Sequence, residues 1–275
     1  MHICLIGCGK MGTALLEGWS KLSVINEITV VEPNNFNVSQ NIKAKNNISF
    51  YDSLSQIKFN YLPDVIILAV KPQIMEIVLL ELKKLGIKSS CWLTIAAGLP
   101  IKFYENILGK NQSIVRTIPN TPASILKGVT ALCYNKNCKS THIENANLLM
   151  EAVGIILKVR DERLMDSITA VSGSGPAYIF YIIVLILLFA VDFFGISSSG
   201  SKRWINLFVF NLQPSELMKI GIIIFLARYY NKIPSNNVNH VKYMIVPIFI
   251  LFIPIALIIT QPDLGTALLV GVGGI

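Results

Sequence analysis

Val171 to Gly195 reads VSGSGPAYIFYIIVLILLFAVDFFG, a stretch that begins as the loop of a soluble enzyme and ends as a membrane span. Hydroxyl groups, two glycines and a proline open it, and from Tyr178 no charged residue interrupts the apolar run before Asp192. A helix packed in a soluble core keeps a polar face; this one shows none over the roughly 18 to 20 residues that a bilayer demands. The chain changes solvent here. Upstream it alternates strands and helices with polar surfaces, and downstream it holds apolar stretches of membrane length separated by short basic loops.

Composition carries the same division. Across 275 residues the hydrophobic fraction is 53% and the mean hydropathy +0.58, too apolar for a wholly soluble protein. Of the net charge of +8, the residues from Tyr178 onward contribute +3 and the front part +5. A charge so dispersed, with no basic run interleaved with aromatics, argues against nucleic acid as a partner. Cys4, Cys8, Cys91, Cys133 and Cys138 are odd in number and form no CxxC pair. With no histidine read at zinc-ligand spacing, they are expected to be reduced thiols, and no metal site is expected. The N-terminus lacks a basic segment and a small-residue cleavage site, so no signal peptide is expected.

The front half opens with an apolar run, His2 to Ile6, that meets Gly7-Cys8-Gly9-Lys10-Met11-Gly12 and then a segment with helical spacing, Thr13 to Leu22. This is strand, glycine turn and helix. The first glycine permits the turn, the second lets backbone N–H groups approach a pyrophosphate, and the third lets helix pack on strand. The helix N-terminus then faces the phosphates. A second strand, Glu27 to Val31, leads to Glu32, 20 positions after Gly12, where a carboxylate would accept hydrogen bonds from an adenosine ribose and repel a 2′-phosphate. That favours NADH over NADPH, with Lys43 and Lys45 close enough in sequence to blur the preference. Asp64 to Val70 and Cys91 to Ala97 are continuous apolar runs of the kind found in central parallel strands, and Ser113 to Arg116 starts another. A doubly wound sheet is the natural architecture.

GCGKMG, LAVKPQ, IAAGLP, VRTIPNTPA and VSGSGPAY, in this order from Met1 to about Phe180, resemble the pyrroline-5-carboxylate reductases, which close proline synthesis. The resemblance implies that Ile6, Gly7, Cys8, Gly9, Lys10 and Met11, with Ala69, Val70, Lys71 and Pro72 and with Ile95, Ala96 and Ala97, line a nicotinamide cofactor, NADPH or NADH. Lys10 stands where the family usually has asparagine. The implied substrate is a cyclic imine, which when protonated already accepts hydride, so no acid–base catalytic residue is expected. Asn120, Thr121, Ser172, Gly173, Ser174 and Gly175 are candidates for holding its carboxylate, and each could equally be a structural turn residue.

In that family Pro176-Ala177-Tyr178 opens a helix of an all-helical dimerisation domain, which the apolar run replaces here. Further on, KRWINL, QPSELMK and QPDLGTA resemble the rod-shape members of the SEDS family, RodA and FtsW among them, polytopic glycosyltransferases that polymerise peptidoglycan. The likeness covers about Val184 to Ile275 and lacks the family's other spans and catalytic loop. Glu216 and Lys219, three apart where a helix turns apolar, can pair on one face and lower the cost of entering lipid. Tyr243 to Thr260 is a further span, which Pro247 and Pro254 are expected to kink, and Leu264 to Ile275 begins another.

The expected fold is α/β, a Rossmann-type doubly wound parallel sheet followed by an all-α transmembrane segment. The expected parts are a dinucleotide-binding reductase domain over 1–166, a substrate loop and the start of a truncated helix over 167–181, and a membrane-spanning fragment over 182–275. The implied function is NAD(P)H-dependent reduction of 1-pyrroline-5-carboxylate, impaired by loss of the dimerisation domain. The alternatives are a membrane protein of cell-wall synthesis with a cytosolic nucleotide-binding module, and a chimera without function. Membrane lipid is an expected partner, and the expected location is the inner membrane with the N-terminal domain in the cytoplasm.

Overall fold

A computed structural model describes residues 1–33, 38–57, 62–173, 175–198, 201–231, 233 and 240–273. The chain forms two compact units, Met1–Gly173 and Ser174–Ile275.

The first unit holds strands β1 (His2–Ile6), β2 (Glu27–Val31), β3 (Ile48–Tyr51), β4 (Val65–Leu68), β5 (Cys91–Thr94), β6 (Ile114–Ile118), β7 (Gly128–Tyr134) and β8 (Gly154–Lys158), side by side in the order β3-β2-β1-β4-β5-β6-β7-β8. Its helices are α1 (Lys10–Trp19), α2 (Gln40–Lys43), α3 (Pro72–Lys84), α4 (Ile101–Leu108), α5 (Ser140–Glu151) and α6 (Leu164–Ile168), and a π-helical turn, Thr169–Gly173, ends it. Alternation along each strand divides two cores. Ile3 and Leu5 of β1 point into a cluster with Leu15 and Trp19 of α1 and Leu149 of α5, whereas Cys4 and Ile6 point into one with Met75, Leu79 and Leu82 of α3 and Tyr104 of α4. All four residues of β4 are buried, as a parallel strand covered on both faces requires.

The first six strands are parallel, as a doubly wound sheet requires, and β7 runs antiparallel to β6. The reason is the length of the connection. Only Pro119 to Lys127 join β6 to β7, too few for the dozen or more residues of a parallel crossover. The chain must turn straight back, and Asn120 Oδ1 pins the turn by accepting the Val129 N–H at 2.8 Å. The longer link through α5 returns β8 parallel to β7.

The second unit holds α7 (Gly175–Phe194), α8 (Pro214–Asn231), α9 (Ile245–Thr260) and α10 (Leu264–Gly273). The unit is helical as expected, with one addition: β9 (Ile196–Ser198), β10 (Ser201–Asn206) and β11 (Asn211–Leu212) form an antiparallel sheet after α7. Asn206 Oδ1 caps its second turn by accepting the Phe208 N–H at 2.7 Å.

Tyr181, Val184 and Leu188 of α7 pack with Met218, Ile222 and Leu226 of α8, Ile258 of α9 and Val270 of α10. The opposite faces are as apolar as this core. Ile182, Ile186, Phe189 and Phe193 of α7, and Ile248, Phe249 and Phe252 of α9, are all exposed. Gly175–Phe194 and Val241–Thr260, 20 residues each, are long and apolar enough to cross a membrane. Of the two prolines expected to kink the second span, Pro247 lies in the first turn of α9, where an N–H has no helical acceptor anyway, and only Pro254 interrupts the interior. At one end of these helices Asp263 takes a hydrogen bond from Gln213 Nε2 at 3.0 Å and lies 3.7 Å from the Arg203 guanidinium. Arg203 also donates to the carbonyls of Gln261 and Pro262.

Candidate dinucleotide site

The C-terminal ends of β1, β2, β4 and β5 converge where the strand order reverses between β1 and β4, the crevice in which open α/β sheets bind ligands. Gly7 follows β1 with φ +93, its N–H bonded to the Val31 carbonyl at 2.9 Å. A Cβ there would sit 2.8 Å from the carbonyl carbon and oxygen of Ala69, so only glycine lets the turn pass the end of β4. A Cβ on Gly12 would lie 2.5 Å from the Gly7 carbonyl oxygen, which keeps the start of α1 close to the turn. Gly9 differs. It is exposed, its backbone is extended, and a Cβ would meet nothing within 4 Å. Space beside bare backbone at the N-terminus of a helix whose first turn holds no acidic residue is what a pyrophosphate needs.

Glu32 closes this turn from the side. Its Oε2 accepts the Cys8 N–H at 2.7 Å, placing a carboxylate beside the glycine loop at the end of β2. The Thr13 hydroxyl donates to the Cys8 carbonyl at 3.1 Å and lies 3.6 Å from the Cys8 sulfur. Burial pushes the Cys8 thiol pKa up, the Thr13 contact offsets part of the rise, and the Glu32 charge adds to it. Lys45 donates to the Ser20 carbonyl, so its ammonium is already engaged.

Around the turn, Ala69 and Val70 are half-buried at the end of β4, and Lys71 and Pro72 are exposed at the start of α3. Ile95, Ala96 and Ala97 follow β5, with Ile95 N–H bonded to Leu68 O and Ala96 N–H to Thr94 Oγ1. Lys10 and Met11 open α1 beside them.

The candidate substrate residues divide. Asn120 and Thr121 follow β6 on the same edge of the sheet, but the Asn120 side-chain oxygen Oδ1 is committed to Val129 N–H, and Thr121 is exposed. Ser172 lines an apolar cavity of about 380 Å³ with Val129, Ala131, Leu157, Ile168 and Val171. Gly173 ends the first unit, Ser174 lies outside the described residues, and Gly175 begins α7 in the second unit. Glu216 and Lys219 pair at 2.7 Å in the first turns of α8, where the carboxylate also faces the positive end of the helix.

Two clusters were not visible in the motifs. Arg116 on β6 is 2% exposed and bonds Glu162 and Asp166, each at 2.9 Å, while Glu162 also accepts Ile101 N–H at the start of α4. Burial alone would lower the Arg116 pKa, but the hydrogen bonds to Glu162 and Asp166 outweigh it and hold it above its ordinary value. A charged residue inside an apolar strand was the available signal. The second cluster joins Cys91, Cys138 and His142; a histidine does stand at ligand spacing from a cysteine, four residues after Cys138.

Pyrroline-5-carboxylate reductase of Pseudomonas aeruginosa is 33% identical to this chain over 203 residues, 74% of this chain and 73% of that protein. The FtsW, RodA and SpoVE family profile, described as cell cycle protein, matches residues 133–275. The chain belongs to two families, the pyrroline-5-carboxylate reductases and the FtsW/RodA/SpoVE proteins. The profile described as NADP oxidoreductase, coenzyme F420-dependent, matches residues 2–98 and so covers the whole glycine turn. The enzyme of Methanosarcina acetivorans is 34% identical over 66% of each protein. The chain thus spans about two thirds to three quarters of the length of these two reductases. The crystal structure of Plasmodium falciparum pyrroline carboxylate reductase with NADP bound shares the fold, with a TM-score of 0.56, 22% identity and coverage of 97% of this chain and 98% of that one. The front part of the chain is an NAD(P)H-binding oxidoreductase domain of reductase type. The FtsW/RodA/SpoVE match begins inside β7, so residues 133–173 of that match fold within the first unit; the long apolar helices begin only at Gly175. That C-terminal family segment implies association with a membrane.

Proposed function

We propose that the chain is a membrane-anchored NAD(P)H-binding reductase domain whose reduction of 1-pyrroline-5-carboxylate to L-proline is impaired. The observation that carries this reading is the open backbone at Gly9, beside the Glu32 carboxylate, in a chain whose later helices are apolar on their outer faces. Ile6 to Gly12 take the pyrophosphate, Glu32 the adenosine ribose, and Ala69 to Pro72 with Ile95 to Ala97 border the nicotinamide. Glu32 tilts preference towards NADH. When bound, the reduced nicotinamide supplies a hydride. The protein then has chiefly to hold the imine carbon of the protonated substrate against the donor, with Thr121, Ser172, Gly173, Ser174 and Gly175 as candidate carboxylate contacts and the side-chain NH2 of Asn120 as another.

Functionally the chain divides into residues 1–166 for the dinucleotide, 167–181 for the substrate loop and a truncated helix, and 182–275 for the membrane segment. Positioning can account for about 7 to 11 kcal/mol of a barrier. A reaction without acid–base groups depends on it heavily, and the helices that would supply the second wall and the partner subunit are replaced by helices suited to lipid. With the first unit in the cytoplasm, α7 runs outward. Lys202 and Arg203 then lie outside, Arg203 facing Asp263, while Arg228 and Lys242 lie inside together with Lys232, which is outside the described residues. The Glu216–Lys219 pair stabilises the start of α8 rather than serving catalysis.

A second reading, a cell-wall protein of the membrane with a nucleotide-binding module, draws support from the family match over residues 133–275. Both readings are tested on the full chain reconstituted in lipid. The expected result is carbonate-resistant membrane association and NADH binding by fluorescence, with little pyrroline-5-carboxylate-dependent oxidation. Rapid substrate-dependent oxidation that falls in Gly9→Val would overturn the impairment, and loss of nucleotide binding would remove the site. Recovery as a monodisperse soluble protein would remove the anchor.

A further inference from the structure

Two thiols and an imidazole, one of the thiols distant in sequence from the other pair, meet at the end of the sheet opposite the dinucleotide turn. Cys91 is the first residue of β5, Cys138 ends the turn that follows β7, and His142 lies in the first turn of α5. Their ligand atoms all lie within 4.8 Å of one another. Cys91 is fully buried, His142 is 9% exposed and Cys138 is half-buried. None of the three touches the dinucleotide turn, so reductase chemistry leaves the cluster unexplained.

We propose that Cys91, Cys138 and His142 form a site for a thiophilic divalent cation, zinc by its donor set. Two thiolates and an imidazole are the ligands such an ion selects, with water completing a tetrahedron. Two thiols give up their protons on binding, and two thiolates around a divalent ion leave no net charge, which lowers the cost of placing it at a buried position. Cys138 sits just before α5, where the helix N-terminus favours a thiolate. As a thiol it donates to Ile114 O and Asn135 Oδ1, each at 3.4 Å, weak contacts that it gives up when the metal takes the place of its proton. Among the described residues the imidazole holds a long contact, 3.3 Å from Lys139 N–H to Nδ1, which ligation can replace at small cost. A bound ion would tie the start of β5 to the segment that opens α5, with 46 residues of chain between Cys91 and Cys138.

The test uses the full chain in detergent, stripped by chelator and kept reduced by a phosphine. Titration with Co²⁺ should give one equivalent of a tetrahedral thiolate spectrum, intense d–d bands with thiolate-to-cobalt charge transfer, and Zn²⁺ should displace it. Zn²⁺ should also raise the melting temperature, because an ion that binds only the folded state stabilises it. Cys138→Ser and His142→Gln should lose both effects, Cys4→Ala should keep them, and His142→Cys should restore binding. Absence of the cobalt spectrum in the wild-type chain overturns the proposal. So does a wild-type spectrum that persists in both Cys138→Ser and His142→Gln.

Discussion

The Tyr181 hydroxyl donates to the carbonyl oxygen of Ile250 at 2.9 Å, and Ile250 is four residues before Pro254. Proline has no N–H, so that carbonyl, inside the helix rather than at its end, is one that α9 cannot satisfy internally. In hydrocarbon no water would take its place, and a tyrosine from α7 does. Tyr181→Phe should therefore destabilise the helical unit by about 0.6 to 1.7 kcal/mol, the range of interhelical hydrogen bonds in membranes. Pro254→Ala, which returns an N–H to Ile250, should shrink that cost. A double-mutant cycle by unfolding in mixed micelles measures the coupling; equal costs in both backgrounds would detach Tyr181 from Pro254.

The three glycines of the turn should separate into two behaviours. Gly9→Val adds a side chain in open space, so the melting temperature should hold while dinucleotide binding is lost. Gly7→Ala meets the Ala69 carbonyl at 2.8 Å and a left-handed backbone that costs roughly 1 to 2 kcal/mol, so it should lower stability as well. Calorimetry and fluorescence titration on the same samples check both.

Glu32→Ala should move cofactor preference towards NADPH by about tenfold, equivalent to about 1.4 kcal/mol, since it removes the charge a 2′-phosphate would face. Binding of both reduced dinucleotides to the variant measures it. An unchanged ratio would remove Glu32 from cofactor selection.

Arg116→Met should cost about 3 kcal/mol, at the low end for breaking a buried pair, because Glu162 and Asp166 are 31% and 73% exposed and can be hydrated once the guanidinium is gone. Asp166→Ala should cost about 1 kcal/mol or less, as exposed partners do. Urea unfolding of the two variants should rank them in that order.

Local chemistry made the first half of the sheet legible in sequence. The glycine turn, the unbroken apolar run of β4 and the position of Glu32 after Val31 each need only neighbouring residues to be read. β3, with four residues, and β7, whose direction follows from the length of the loop before it, are settled by pairing partners far along the chain. The same holds for the site. The residues of the turn announce themselves, but the Glu32 contact with Cys8 spans 24 residues, and Asn120 proves to be tied to the backbone of Val129. The long apolar helices were plain from composition; the strands between α7 and α8 were not, because a three-stranded ribbon of two to six residues per strand gives almost no periodic signal.

The order of the two units along the chain has a consequence in time. Every strand of the eight-stranded sheet is complete by Lys158, before the first residue of α7 has been synthesised. At roughly 5 to 20 residues per second, the ribosome leaves the early strands about 8 to 30 s to pair before the first apolar helix emerges. The aqueous unit can thus close in water while the hydrophobic part does not yet exist, and the exposed leucines and phenylalanines of the later helices never compete with Leu5 or Val65 for a place in its core.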